Sequence, residues 1–206
     1  MPVNASVQSY FINRQRVNLF VPVNPVQLKY VYSPYWAKVW PAALGLCYFL
    51  DANPVYIKNK AVKELAAGLG LPTLFVAKQA LKVYCSDIEP AAVDLIKQSV
   101  LYNGFTNVRC YVKSWNDFYG DMNPETLLLS DVNYEPEQFE KLHEMLHYYL
   151  GHRCTIIIST PQRLMAKTFI EKLLPYCIQQ EEVMVEQEGK EVAVSVFVLK
   201  DGGWIF

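Results

Sequence analysis

From residue 60 onward, apolar and polar positions along the chain alternate between strand-like and helix-like periods. Short apolar runs rich in Val, Ile and Leu and bounded by turn residues predict strands over 61–66, 81–86, 108–112, 126–130 and 154–159. Helical spacing between them predicts helices from the glycine turn to 77–78, and over 90–102, 139–150 and 163–174. Repeated strand–helix units predict a parallel sheet with helices on both faces.

The C-terminal part of the chain has a different pattern. Segments 178–187 and 191–199 flank Glu188-Gly189-Lys190, and valines occupy alternate positions of the second segment. This predicts an antiparallel hairpin at the end of the sheet. No internal repeat or linker interrupts the chain, so we predict a single domain over residues 1–206.

The N-terminal part mixes polar residues with aromatic and β-branched ones. Alternation at 17–19 and 26–30 predicts short strands separated by prolines. Helical spacing of apolar residues after Trp40 predicts a helix with Pro41 in its first turn, and Asn53-Pro54 ends that helix.

Composition and charge exclude several classes of protein. The 206 residues are 52% hydrophobic and 19% charged, which indicates a globular domain rather than a disordered chain. The net charge of −1 gives no overall attraction to nucleic acid or to an anionic membrane, so we expect neither as a partner. No signal-peptide pattern or membrane-length apolar run occurs, and the five cysteines are scattered. We therefore predict free thiols, no metal site and a cytoplasmic location.

A glycine turn after the first core strand is the first candidate functional feature. Gly68 and Gly70 permit close approach of the backbone to a ligand. The third glycine of the dinucleotide-binding pattern falls on Thr73, which disfavours a nicotinamide cofactor. Asp87 ends the next predicted strand, where a carboxylate can accept hydrogen bonds from both hydroxyls of a ribose. The alternative is that the glycines only make a tight turn and that Asp87 only caps the helix opened by Pro90.

Several segments, taken together, resemble class I methyltransferases that depend on S-adenosylmethionine. Residues 64–70 resemble the motif E-x-G-x-G-x-G, with Ala66 in place of its first glycine. Residues 35–44, around Trp40-Pro41, resemble the W-P-x-x-x-x-L pattern of the seven-β-strand, lysine-methyltransferase-like branch (methyltransferase family 16). Residues 64–74 resemble that branch's first motif and the helix behind it, and Asp131 to Tyr134 is similar to its D-x-x-Y signature. The resemblance extends from about residue 35 to residue 150.

This resemblance implies the fold in more detail. The expected α/β fold is a Rossmann-like three-layer αβα sandwich whose mostly parallel, seven-stranded sheet ends in an antiparallel hairpin. A short N-terminal β/α extension would precede it, with residues 1–54 as the extension and first helix and 55–206 as the catalytic core. The implied cofactor is S-adenosyl-L-methionine.

The resemblance also assigns residues to the cofactor: Trp40, Glu64, Ala66, Gly68, Gly70, Asp87, Ile88 and Trp115. Glu64 would lie beneath the cofactor's amino-acid end, the glycines beside its methionine portion, Asp87 at the ribose, and Ile88 and Trp115 at the adenine, while Trp40 would close the pocket. We expect alanine at position 66 to be tolerated because no positive φ is required there. The alternatives are that Trp40 is a core aromatic residue and that Glu64 is an exposed charge at a strand end.

Asp131 and Tyr134 are the candidate catalytic residues. They lie three positions apart just beyond a buried strand, where both could face the transferred methyl group. A lysine acceptor has an ordinary pKa of about 10.4 and must lose its proton before it attacks. By hypothesis, Asp131 orients the amine and Tyr134 forms a wall of the acceptor channel. Alternatively, Asp131 caps the helix entered at Pro136 and Tyr134 only packs.

The predicted function is methyl transfer from S-adenosyl-L-methionine to a lysine side chain of a protein substrate. A sulfonium donor is already activated, so no nucleophilic enzyme residue is needed, and the chain contains no persuasive Ser-His-Asp or Cys-His set. The alternatives are a small-molecule N- or O-methyltransferase and a non-catalytic member that binds the cofactor, because a fold does not determine its acceptor. No prediction of oligomeric state follows.

Overall fold

The computed structural model describes residues 3–23, 34–118, 123–162 and 166–202. The strands in these ranges are β1 (Ala5–Ile12), β2 (Gln15–Pro22), β3 (Ala61–Leu65), β4 (Lys82–Asp87), β5 (Val108–Val112), β6 (Thr126–Ser130), β7 (Thr155–Pro161), β8 (Cys177–Gln187) and β9 (Lys190–Leu199). The α-helices are α1 (Pro41–Ala52), α2 (Leu71–Val76), α3 (Pro90–Tyr102), α4 (Phe139–Gly151) and α5 (Lys167–Leu173). No helix in the described ranges has the length and apolar character needed to cross a membrane.

Seven of the strands form one sheet in the order β5-β4-β3-β6-β7-β9-β8. The strands from β3 to β7 are parallel, whereas β9 runs antiparallel to both of its neighbours. The predicted mostly parallel sheet with an antiparallel end hairpin is confirmed. The chain runs outward from β3 to β5 and then returns to place β6 beside β3. Strand order therefore reverses between β3 and β6, which is where ligands bind in open α/β sheets.

Helices cover both faces of this sheet. Successive side chains of β6 show this, because they pack alternately on one face and on the other. Leu128 belongs to a buried cluster with α1, α2 and α3, whereas Leu127 and Leu129 belong to a cluster with α4 and α5. All three side chains are fully buried. The continuous apolar run in the sequence is therefore that of a strand buried on both faces.

The element bounds predicted from the sequence agree closely with the structure for most elements. Helix α1 begins at Pro41 as predicted, and the β8–β9 turn has positive φ at Glu188 and Gly189, as a two-residue hairpin turn requires. Helix α2 is shorter than predicted and ends at Val76. The strand predicted over 26–30 and the predicted helix start at 163 lie outside the described residues.

The N-terminal strands β1 and β2 form a separate hairpin that packs on α3. Ser99 Oγ accepts a hydrogen bond of 2.8 Å from the Phe20 backbone N–H, and Asn103 Nδ2 donates one of 2.7 Å to the Asn18 carbonyl. Buried side chains of this hairpin join the cluster formed by α1, α2 and α3: Ile12, Val17 and Leu19. The extension is thus packed into the core of the sheet.

Candidate functional site

A cavity of about 620 Å³ opens at the carboxyl ends of β3, β4 and β6. Its volume lies within the range of about 300–1,000 Å³ that is typical of small-molecule sites. Nine of the ten site residues predicted from the sequence lie on its wall: Trp40, Ala66, Gly68, Gly70, Asp87, Ile88, Trp115, Asp131 and Tyr134. The tenth, Glu64, does not.

The glycine loop between β3 and α2 needs its glycines for two reasons. Gly68 and Gly70 have φ values of +54° and +73°, in the left-handed region that favours glycine. A Cβ on Gly70 would also lie only 3.0 Å from Cγ1 of Ile96 in α3. The backbone of this loop can therefore pass close to α3 and still line the cavity.

The expectation that Ala66 needs no positive φ is wrong. Its φ is +52°, in the same left-handed region as the two glycines. Crowding between Cβ and the carbonyl makes this conformation cost an ordinary residue about 1–2 kcal/mol. The chain turns sharply from β3 into the loop at this residue, so the turn dictates the backbone angle whichever side chain is present.

Asp87 is the last residue of β4 and is 6% exposed. Its Oδ2 accepts a hydrogen bond of 2.8 Å from the Gly68 N–H, and its Oδ1 accepts one of 2.9 Å from the Glu89 N–H. Burial raises the pKa of this carboxyl group, while the backbone N–H donors oppose the rise. Each oxygen of a carboxylate has a second acceptor position, so Asp87 can still receive two hydroxyl donors. The N-cap residue of α3 is Glu89, so Asp87 is not that helix's cap.

Glu64 lies inside the protein, so the alternative of an exposed strand-end charge is wrong. Its Oε2 accepts hydrogen bonds from the Thr73 N–H at 2.8 Å and from Thr73 Oγ1 at 2.5 Å. Burial raises the pKa of Glu64 to about 8. Oε1 has no hydrogen-bond partner among the described residues. Glu64 thus joins β3 to the first turn of α2, and its contact with a cofactor stays a prediction.

Three aromatic rings that contact one another line part of the cavity wall. The ring centroids of Tyr35 and Tyr134 are 5.4 Å apart, and those of Tyr35 and Trp40 are 6.3 Å apart. Trp40 Nε1 donates a hydrogen bond of 2.7 Å to the Tyr35 carbonyl. Trp40 is only partly buried, whereas Trp36 is the tryptophan of this segment that packs in the core. We refer to Tyr35, Trp40 and Tyr134 as the aromatic cluster.

Asp131 directly follows β6 and has a φ of +55°. Its backbone N–H donates a hydrogen bond of 2.9 Å to the Ser159 carbonyl in β7, so the neighbouring strand holds it in this conformation. The N-cap residue of the following 3₁₀ turn is Glu135, so Asp131 does not cap it. Left-handed backbone at a non-glycine residue is a form of strain that concentrates at functional sites.

On the adenine side predicted from the sequence, Trp115 begins a 3₁₀ turn after β5. Ser114 Oγ accepts a hydrogen bond of 3.1 Å from the Asn116 N–H, which fixes the start of this turn. Trp115 is half-buried and packs partly against the cluster that includes α4. Ile88, by contrast, is 66% exposed and offers an uncovered apolar side chain on the same wall.

The cavity wall carries more acidic than basic side chains. The carboxylates are Asp87, Glu89, Asp131 and Glu135, and the ammonium groups are those of Lys38 and Lys113. Such a surface attracts cationic ligands. Among the described residues, no group of three or more His, Cys, Asp or Glu side chains is arranged to hold a metal ion.

Sequence reasoning missed several wall residues: Tyr35, Lys38, Lys113, Glu135 and Gln138. Tyr35 and Lys38 lie within the segment 35–44 that contains Trp40, and Glu135 follows Tyr134, so position in or beside a motif was the available signal. Their charges and rings alone gave no reason to distinguish them from ordinary surface residues.

Comparison with known proteins shows the family to which the chain belongs. A family model described as lysine methyltransferase matches residues 34–175, more than half of the chain. The chain belongs to this family. The matched range includes the glycine loop, Asp87 and Asp131.

Two curated proteins from Mus musculus are similar in sequence to this chain. Histone-arginine methyltransferase METTL23 is 32% identical over 122 residues, which cover 56% of this chain and 48% of that protein. EEF1A lysine methyltransferase 3 is 31% identical over 169 residues, which cover 78% of this chain and 70% of that protein. The chain spans about half the length of several of the curated relatives it matches.

Solved structures share the fold. Magnesium protoporphyrin IX methyltransferase from Synechocystis PCC 6803, solved with bound SAM, superposes with a TM-score of 0.58 at 16% identity. The match covers 77% of this chain and 78% of that one. At this identity the likeness concerns the fold alone.

Proposed function

We propose that this chain transfers a methyl group from S-adenosyl-L-methionine to a lysine side chain of a protein. The observation that carries the proposal is that the glycine loop, Asp87, Asp131 and the aromatic cluster all line one cavity. Membership of the lysine methyltransferase family supports it. Both halves of the reaction, donor and acceptor, then have a place in the same cavity.

The residues present fit the cofactor. Gly68 and Gly70 allow close approach of the backbone, and Asp87 retains two acceptor positions for ribose hydroxyls. Ile88 and Trp115 offer apolar surface to an adenine ring. When bound, the cofactor supplies a methyl group activated by a positively charged sulfur.

On the acceptor side, the chain's own residues would hold and orient the amine. The aromatic cluster offers ring faces to an alkylammonium group, and Asp131 can accept a hydrogen bond from it. Burial next to a positive charge favours loss of the acceptor's proton, which releases the lone pair that attacks. Burial is the main factor that raises the pKa of Tyr134, and the charges of Glu135 and Asp131 raise it further. The phenol therefore stays protonated and forms a neutral wall of the channel.

A second candidate is methylation of arginine. It is favoured by the relative named histone-arginine methyltransferase, which is 32% identical to this chain. Asp131 and Glu135 on one wall could each accept an N–H of a guanidinium group. A small-molecule methyltransferase or a non-catalytic member would transfer no methyl group to protein, which distinguishes these alternatives from lysine and arginine methylation.

The acceptor is tested with radiolabelled S-adenosylmethionine and lysate proteins depleted of methylation. We expect label in protein as methyl-lysine, reduced about 100-fold in Asp131→Ala because the amine loses its orienting partner. Asp117→Ala is the matched control, since Asp117 is an exposed acid outside the cavity wall. Methyl-arginine would favour the second candidate, and label confined to small molecules would overturn the proposal.

Calorimetry with S-adenosylhomocysteine tests the cofactor separately. Wild-type protein should bind it, and Asp87→Asn should bind about 10–100-fold more weakly because a charged acceptor of two hydroxyls is lost. Absence of binding to the wild-type protein would contradict the cofactor assignment.

We also propose that residues 1–206 act as one methyltransferase domain in the cytoplasm, with 1–54 as the extension and 55–206 as the catalytic core. The packing of the β1–β2 hairpin on α3 supports a single domain. The five free cysteines support a reducing compartment. Fractionation of cells that express the chain tests the location.

A further inference from the structure

Lys38 lies on the wall of the same cavity, beside the aromatic cluster. Its Nζ is 5.3 Å from the centre of the Trp40 ring and 3.0 Å from Oε1 of Glu188 in the β8–β9 turn. The Trp40 ring contacts Tyr35, and Tyr35 contacts Tyr134. The chain therefore presents its own lysine ammonium to Trp40, one of the three rings that we propose for the lysine of a substrate.

The backbone on either side of Lys38 is held in place by hydrogen bonds. Gln187 Nε2 donates one of 2.7 Å to the Val39 carbonyl, and Trp40 Nε1 donates one of 2.7 Å to the Tyr35 carbonyl. The Cα of Lys38 is thus kept at the cavity, whichever way its side chain turns.

The Lys38 side chain itself can move. It is 43% exposed, and its partner Glu188 is 71% exposed, so their ion pair is weak. A lysine stem has four rotatable bonds, which lets the amine leave Glu188 while the backbone stays fixed. Lys63 makes a useful contrast, because it is buried against the Tyr149 hydroxyl and is absent from the cavity wall.

We propose that Lys38 is a self-methylation site of this protein. The inference rests on the proposed function.

The Lys38 amine, after losing a proton to water, attacks the methyl carbon of S-adenosylmethionine with its lone pair. The methyl–sulfur bond breaks, its electrons remain on sulfur, and S-adenosylhomocysteine leaves. The positive charge passes from sulfur to the methylated nitrogen. Because amine and cavity belong to one chain, the reaction is intramolecular and its first-order rate is independent of protein concentration.

Peptide mapping by mass spectrometry after incubation of the purified chain with S-adenosylmethionine tests this site. We expect a methyl group on Lys38, absent in Lys38→Arg and in Asp131→Ala. Lys58→Arg is the control, because Lys58 is an exposed lysine that precedes β3. It therefore lies at the amino ends of the strands, whereas the cavity lies at their carboxyl ends. Methylation confined to other lysines would overturn the proposal.

Mixing two variants tests whether the reaction is intramolecular. Active Lys38→Arg protein supplies a cavity without the acceptor, and Asp131→Ala protein supplies the acceptor with an impaired cavity. We expect the Asp131→Ala chain to stay unmethylated. Efficient methylation of its Lys38 would show transfer between molecules and contradict the intramolecular proposal.

The ion pair gives a further test. Glu188→Gln should raise the initial rate about two- to five-fold, since the amine no longer has to leave a charged partner. An unchanged or lower rate would contradict a competition between Glu188 and the cavity for Lys38.

A second kind of test does not depend on methyl transfer. It measures how fast an amine-reactive ester acetylates individual lysines. S-adenosylhomocysteine should slow the acetylation of Lys38, because it fills the cavity whose wall Lys38 lines. The rate of acetylation at Lys58 should not change. An unchanged rate of acetylation at Lys38, although S-adenosylhomocysteine binds, would overturn the proposal. Binding of S-adenosylhomocysteine and methylation of other proteins without any at Lys38 would overturn this inference alone, whereas absence of binding would overturn the proposed function.

Discussion

At the scale of single residues, two non-glycine residues with left-handed backbone lie on the cavity wall. Ala66 leaves β3 with a φ of +52°, and Asp131 leaves β6 with a φ of +55°. The left-handed conformation costs alanine about 1–2 kcal/mol, whereas aspartate adopts it more readily. The adjacent strands β3 and β6 thus end in the same kind of sharp turn, and both turns face the cavity.

Replacing Ala66 by glycine should raise the free energy of unfolding by about 1 kcal/mol. Glycine removes the left-handed cost, although its freedom in the unfolded chain cancels part of the gain. Urea unfolding measures the change. Ala67→Gly is the control: Ala67 is buried without a positive φ, and its replacement should destabilise by about 1 kcal/mol. Equal destabilisation by both variants would refute the backbone explanation.

Single residues also show what a sequence pattern can predict. That Gly68, Gly70 and Asp87 lie together on the cavity wall could be predicted, because they follow successive strands whose carboxyl ends meet at one side of a parallel sheet. The conformation of Ala66 could not, since alanine by itself prefers negative φ and only the turn out of β3 imposes the other sign.

At the scale of elements, α1 packs across the antiparallel end of the sheet, and Gly45 lies against β9. A Cβ on Gly45 would lie 2.7 Å from Cγ1 and 2.9 Å from Cβ of Val194 in β9. Val194 is fully buried, with a buried cluster around it. The N-terminus of this helix also places its N-cap residue, Trp40, on the cavity wall.

Gly45→Ala should therefore destabilise the protein by about 1–3 kcal/mol. Helix propensity alone predicts the opposite, a gain of about 1 kcal/mol, so the sign of the effect decides which factor dominates. Gly151→Ala is the matched control, because Gly151 ends α4 with nothing within 4 Å of its added Cβ. Thermal unfolding of the two variants makes the comparison. A stabilised Gly45→Ala protein would show that α1 is free to move away from β9.

At the scale of the whole molecule, a buried carboxyl group links β3, inside the sheet, to α2. Glu64 lies wholly inside, and its partner Thr73 is in the first turn of α2. Burial raises the pKa of Glu64 to about 8, above the value of about 4.3 in an unfolded chain. The folded protein thus holds this proton more tightly than the unfolded chain does.

This difference predicts how stability depends on pH in the cofactor-free protein. The contribution of Glu64 is complete below about pH 4.3 and is lost as pH rises to about 8, at about 1 kcal/mol per pH unit. Glu64→Gln should remove this part of the slope and should be the more stable protein above pH 8. Asp87, whose pKa is also raised by burial, leaves a residual slope in the variant. Urea unfolding at several pH values provides the measurement, and parallel pH profiles for the two proteins would contradict the burial explanation.

The sequence by itself determined the elements and the residue types of the candidate site. Apolar periodicity depends on which face of a strand or helix is buried, so the strands from β3 to β9 could be placed from local pattern. Tertiary structure alone decided the strand order β5-β4-β3-β6-β7-β9-β8 and, through it, which loops meet. Lys38, Glu188 and the aromatic cluster come together from segments far apart in the chain, and Glu64 is buried only because α2 folds over it. Such contacts depend on long-range packing, which no local spacing of residues encodes.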